Sequence, residues 1–149
     1  MFGKIAAAFG LSKSQHQSEE ITQVINMYDA MLAHAAWKKR LNDYLGGHSK
    51  ESLEPSNIRV DHACLLGKWI HSDGRDQFGD QPAFIKLVEE HAKFHRHAAT
   101  VVEAHHAGDT HLAQEILKGS FEDQSRKTVT CLTRLNAVVE EHNKQSAAH

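Results

Sequence analysis

Residues 82–108 read PAFIKLVEEHAKFHRHAATVVEAHHAG. Within them Phe84, Leu87, Val88, His91, Phe94, His95, Ala98, Val101 and Val102 recur at steps that trace one face of an α-helix. Pro82 suits the first helical turn, where its missing N–H is no loss, and Gly108 suits the end. The spacing predicts one long helix, with His91 and His95 on its apolar face.

The same period continues on both sides. From Ser18 to Leu45, the residues Ile21, Val24, Met27, Met31, Leu41 and Leu45 form a stripe that stops at Gly46-Gly47, and His34 falls on it. After a loop closed by Pro55-Ser56, Ile58 to His71 fits a shorter helix in which Val60, Cys64 and Gly67 share a face, so Cys64 looks inward. A polar loop containing Gly74 and Gly79 follows. Beyond Gly108, Asp109 suits the cap of a last helix carried by Leu112, Ile116, Phe121, Val129, Leu132, Leu135 and Val139, with a kink at Gly119-Ser120. The polar tail from His142 is expected to fray. No strand alternation and no repeat interrupts this pattern. Three long helices and one shorter one predict an all-α fold, an antiparallel four-helix bundle over residues 18–146, with a flexible leader at 1–17 and a disordered tail at 147–149.

Composition narrows the function. A chain of 149 residues has room for one core. Seventeen basic and nineteen acidic residues lack the excess that a phosphate backbone demands, so nucleic acid is not an expected partner. The apolar run Ile5 to Leu11 is too short to span a membrane, which takes about 20 residues. Its want of a charged face argues against a surface anchor. Two cysteines, Cys64 and Cys131, make no disulfide framework, and the chain lacks a secretory signal, so a reducing cytoplasm is expected. Thirteen histidines are the departure from ordinary composition; they suit metal binding or a pH-responsive surface.

Histidines four apart on a helix can serve one ion, as His91 and His95 are placed to do. With so many histidines, chance alone supplies about one such pair, so the spacing decides nothing by itself. More weight comes from the shared core-side placement of His34, Cys64, His91 and His95, since lone buried polar groups cost a few kcal/mol each. Either neighbouring groups satisfy them one by one, or an ion satisfies them together. Three imidazoles and a thiolate complete a tetrahedral zinc site and leave no position for a catalytic water, which argues against an enzyme. Copper and iron stay open on affinity alone. Trp37 and Trp69 are expected to pack around the site, and Cys131 to serve as a small apolar helix residue. Asp61 is either an acceptor behind a ligand or a solvated charge. His62, His71, His97, His105, His106 and His111 read as surface residues, although His105, His106 and His111 allow a weak second site.

Three segments together, Ala33-His34-Ala35-Ala36-Trp37, Cys64-Leu65-Leu66-Gly67-Lys68-Trp69-Ile70 and His91-Ala92-Lys93-Phe94-His95, closely resemble the CZB domain, the chemoreceptor zinc-binding domain of bacteria. The resemblance spans roughly Glu19 to Asn143. It implies that His34, Cys64, His91 and His95 hold one zinc ion in an all-helical homodimer of the cytoplasm. It also implies that zinc occupancy, or oxidation of the zinc-bound cysteine by hypochlorous acid, alters helix packing. Such domains accompany chemoreceptors and some diguanylate cyclases. No output segment is read beside this one, so a stand-alone module is expected, acting on a chemoreceptor or cyclic-di-GMP signalling protein in trans. The alternative is a zinc buffer or carrier.

Overall fold

Residues 27–35 are helical (α1), Ala36 makes a turn, and Trp37–Leu45 (α2) carries the chain on. The interruption is slight, because Ala36 keeps right-handed helical dihedrals and still accepts from Arg40 N–H at 3.1 Å. Met27, Ala30, His34, Leu41 and Leu45 are buried, as the stripe predicts. These observations come from a computed structural model that describes residues 27–148; the expected leader and residues 18–26 of the first helix lie outside the described residues. Gly47, at φ 77°, turns the chain out of α2 through a conformation that other residues adopt only at a cost of about 1–2 kcal/mol.

Six more helices follow: Pro55–Arg59 (α3), Leu65–Ile70 (α4), Asp73–Phe78 (α5), Pro82–His106 (α6), Thr110–Lys118 (α7) and Ser120–Ala148 (α8). The described residues are all-helical, without a strand. The long helix expected over 82–108 is present as α6, with Pro82 in its first turn. Asp109 caps α7 by accepting from Leu112 N–H at 3.0 Å.

Four readings of the sequence need correction. Ile58 to His71 is not one helix: α3 ends at Arg59, and Val60 and Cys64 both have extended backbone. The regular spacing of Val60, Cys64 and Gly67 is therefore not a helical face. Cys64 instead caps α4, its Sγ accepting from Gly67 N–H at 3.3 Å. The polar loop after His71 contains α5, held by buried Phe78, whose ring meets those of Trp69 at 6.0 Å and His142 at 5.2 Å. The kink at Gly119 is a break between α7 and α8, since Gly119 leaves helical dihedrals at φ −106° and ψ −100°. Finally, α8 runs past His142 to Ala148.

Helices α6 and α8 are antiparallel. Phe94 meets Phe121 at 5.3 Å, while Glu90, nearer the start of α6, meets Gln124 and Thr128, later in α8. A buried polar network joins them: Gln124 Nε2 donates to the Glu90 carboxylate at 2.9 Å and to its carbonyl at 3.1 Å, and Thr128 Oγ1 donates to that carbonyl at 3.2 Å. Donation from Gln124, followed by Lys86 and Lys93, holds the Glu90 carboxyl down at about 2 despite burial. Apolar side chains form two clusters. One gathers α2, α7 and the later half of α6 around Phe94 and Phe121. The other gathers α1, α4, α5 and α8 on the earlier half of α6, around Leu87 and Leu132. His91 lies between Leu87 and Phe94, at the boundary.

Candidate metal centre

Three separate segments bring four donors to that boundary. His34 projects from α1, Cys64 from the extended connector at the start of α4, and His91 and His95 from successive turns of α6. One donor atom from each lies within 4.8 Å of all the others. His91 is fully buried, and His34 and His95 nearly so, while Cys64 keeps partial exposure. All four residues predicted from the sequence thus come together.

The backbone aims the rings. His34 Nδ1–H donates to Ala30 O at 2.7 Å, and His95 Nδ1–H donates to Ile58 O at 2.8 Å. A carbonyl can only accept, so both Nδ1 atoms carry the proton and both Nε2 atoms present a lone pair. His95 Nε2 lies 3.0 Å from His91 Nε2 and 3.7 Å from Cys64 Sγ, and His91 Nε2 lies 3.4 Å from Cys64 Sγ. His34 Nε2 is buried with no hydrogen-bond partner.

This donor set fits a metal ion. Zn–N and Zn–S bonds of about 2.05 and 2.3 Å at tetrahedral angles place nitrogens about 3.3 Å apart and nitrogen about 3.6 Å from sulfur. The two sulfur–nitrogen separations, 3.4 and 3.7 Å, bracket the second value, and the nitrogen–nitrogen separation of 3.0 Å falls a little short of the first. Lone pairs facing one another across such distances repel unless a cation or proton lies among them, and the unpartnered His34 Nε2 has no other evident use.

Electrostatics keep the imidazoles ready. Burial lowers His34 to about 4 and, with His95 and His34 adding to it, His91 to about 2. Burial also lowers His95, against the bond to Ile58 O. Burial raises the Cys64 thiol, a rise opposed by the N–H of Gly67. At pH 7 the rings are therefore neutral and the thiol protonated, so capture of a metal ion is expected to release one proton, from Cys64. Calorimetric titration with zinc in buffers of different ionisation heat measures that number; a release of two or more would place protons on the histidines.

The surroundings were only partly readable from sequence. Trp37 packs beside Phe94 at 6.5 Å, and Trp69 against Phe84 at 6.0 Å, both as packing residues. Asp61 faces His71 at 3.5 Å rather than bonding a donor of the centre. Cys131 is buried among apolar neighbours. His105 pairs with Thr110 and His106 with Tyr44, while His111 faces Glu115; among the described residues no second group of metal donors converges. The carbonyls of Ala30 and Ile58 leave no trace in sequence spacing. Gly67 does leave one, as the glycine of Cys64-Leu-Leu-Gly67. A Cβ there would sit 1.8 Å from Asp61 O, so only glycine lets α4 pack against the connector.

Fold and centre together define an all-helical domain with a three-histidine, one-cysteine cluster suited to a metal ion. Residues 34–102 match the family model of the chemoreceptor zinc-binding domain, CZB, and over that span the resemblance seen in the sequence is shown. The matched span begins at His34 and contains the other three donors. The family is a regulatory zinc-binding one rather than an enzyme family, and zinc is the cofactor it brings to a cluster suited to a metal ion. Searches of curated proteins and of solved structures find no match to the chain. Among the described residues no helix is long and apolar enough to cross a membrane.

Proposed function

We propose that the chain is a zinc-sensing regulatory module, in which Cys64 Sγ and one ring nitrogen each of His34, His91 and His95 hold a single zinc ion. The observation that carries this reading is the convergence of four donors from three segments, two of the rings locked by backbone carbonyls with their Nε2 atoms turned inward. When bound, zinc supplies a closed four-coordinate clamp without a catalytic position. Cys64 gives up its proton to enter it. Ala30 and Ile58 hold two rings in place, and the burial of all three keeps them unprotonated.

The domain is read as an antiparallel four-helix bundle, a cytoplasmic homodimer whose output is a separate signalling protein of the chemoreceptor or cyclic-di-GMP class. Because the donors tie α1 and the connector to α6, losing one of them loosens that junction. Hypochlorous acid acting on the Cys64 thiolate would leave a sulfenic acid and chloride, with the same consequence. Binding worth several kcal/mol is ample to choose between two helix packings.

Native mass spectrometry of protein purified without added metal tests this directly. One zinc per chain in a dimer is the expected result, and Cys64→Ala is expected to keep the dimer but load weakly. Full-strength loading of that variant would contradict the ligand assignment. Hydrogen exchange of the apo and loaded forms then separates a switch from a buffer, since a buffer needs no change in helix protection.

A further inference from the structure

On the face of α6 turned away from His34 and Cys64, α6 and α8 enclose a groove of about 580 Å³ that is open to solvent. Its walls carry Lys86 and Lys93 from α6 and Arg126, Lys127 and Arg134 from α8. Against these five stand only Glu90 and Asp123, in a chain whose acidic residues outnumber its basic ones. The lining itself therefore carries a net positive charge. Arg126 is occupied by Glu122 and Asp123, Lys86 and Lys93 share the buried Glu90, and Lys93 also pairs with Glu89. Among the described residues Lys127 and Arg134 make no ion pair, and both are exposed.

The spacing of these cations is regular. Lys86 and Lys93 are seven residues apart, as are Lys127 and Arg134, so each wall repeats its positive charge after about 10 Å. The antiparallel course of the helices sets Lys86 toward the Arg134 end and Lys93 toward the Lys127 end. A small ligand is held in an enclosing pocket that covers most of its surface, which this open trough does not provide. A helix with carboxylates seven residues apart on one face repeats its negative charge at the same interval, and two such rows of cations meet it from both sides.

We infer that this groove docks an acidic helical segment of a partner protein. The inference rests on the reading of the chain as a module whose state a separate protein reads. It also places that protein near the centre: Glu90, the groove's floor, precedes His91 on α6, and partner carboxylates drawing Lys86 and Lys93 outward compete with Glu90 for them. Since Gln124 and Thr128 grip the backbone of Glu90, the competition bears on the α6–α8 junction beside the metal donors.

The test uses the full chain, zinc-loaded, and a fluorescent, end-capped 21-residue helical peptide with glutamates on one face at seven-residue intervals, followed by anisotropy. Saturable binding is expected, weakening as salt rises through the range where charges screen over about 10 Å. The double variant Lys127→Glu, Arg134→Glu is expected to bind at least tenfold more weakly while loading zinc as the parent does. Lack of saturable binding, or equal binding by the double variant, overturns the inference. So does a preference for pyrophosphate or a short DNA duplex over the peptide that the same substitutions abolish. Zinc loading is scored separately: a chain that binds peptide but holds no metal would keep the groove and lose the sensing role, and the converse result would do the opposite.

Discussion

Stripping zinc from the purified protein with a chelator is expected to lower its midpoint of thermal unfolding by roughly 10 °C. The estimate follows from mass action. A ligand present at a thousand times its dissociation constant adds about 4 kcal/mol to the folded state, and each kcal/mol moves the midpoint of a chain this size by about 2–4 °C. The loss should not be spread evenly. His34, Cys64 and the α6 pair are joined through the donors, whereas Glu90, Gln124 and Thr128 hold α6 to α8 by hydrogen bonds that need no metal. Amides of the connector from Val60 to Gly67 are therefore expected to lose exchange protection first, and those at the centre of α8 last. Scanning calorimetry and hydrogen exchange on apo and reloaded protein read both effects. An unchanged midpoint would mean that the four groups are satisfied without an ion.

Gly67→Ala is expected to damage stability and zinc affinity together. The added methyl would lie 1.8 Å from Asp61 O, 2.8 Å from the carbonyl carbon and 2.9 Å from His62 Cα. These are backbone atoms, so no rotamer change relieves the clash; α4 and the connector must separate. Overpacking of this kind costs about 1–3 kcal/mol. The displaced connector carries Cys64, whose Sγ also loses its aligned bond from Gly67 N–H. Disturbing the groups that orient metal ligands commonly costs about 10–100-fold in affinity, and a shift of the ligand itself should reach the upper end. Gly108→Ala is the control. Gly108 has φ 86° with open space around it, so alanine there pays backbone strain of about 1–2 kcal/mol and leaves zinc affinity unchanged. Comparable affinity losses in the two variants would show that general destabilisation, not the Gly67 contact, governs the site.

The residues that expose the site in the sequence are those with a local pattern. His91 and His95 are marked by their four-residue step on an apolar face, and His34 by its place on the stripe ending at Leu45. Cys64 faces inward for a reason other than the one its spacing suggests. Its spacing with Val60 and Gly67 suggests a helical face, yet the chain is extended there and Cys64 reaches the centre as the cap of α4. Phe78 is not legible in the sequence because a six-residue helix is too short to show a period; its burial depends on Trp69, Phe84 and a distant His142. The two walls of the basic groove each have a legible seven-residue repeat, but nothing in either repeat says that they face one trough.

Sequence alone determined the helical class, the extent of α6, the cap at Asp109 and the core-side placement of His34, His91 and His95, because each is written in residues a few positions apart, where helical geometry dictates who shares a face; Cys64 is marked only by the motif it shares with the family. Tertiary structure alone decided which ring nitrogens point inward, why Gly67 has no substitute, and where the cations of α6 meet those of α8. Those features depend on close approach between atoms far apart along the chain, such as Ile58 O and His95 Nδ1 or Asp61 O and the Cα of Gly67. Local periodicity reports the faces a helix offers; only packing settles what each face meets.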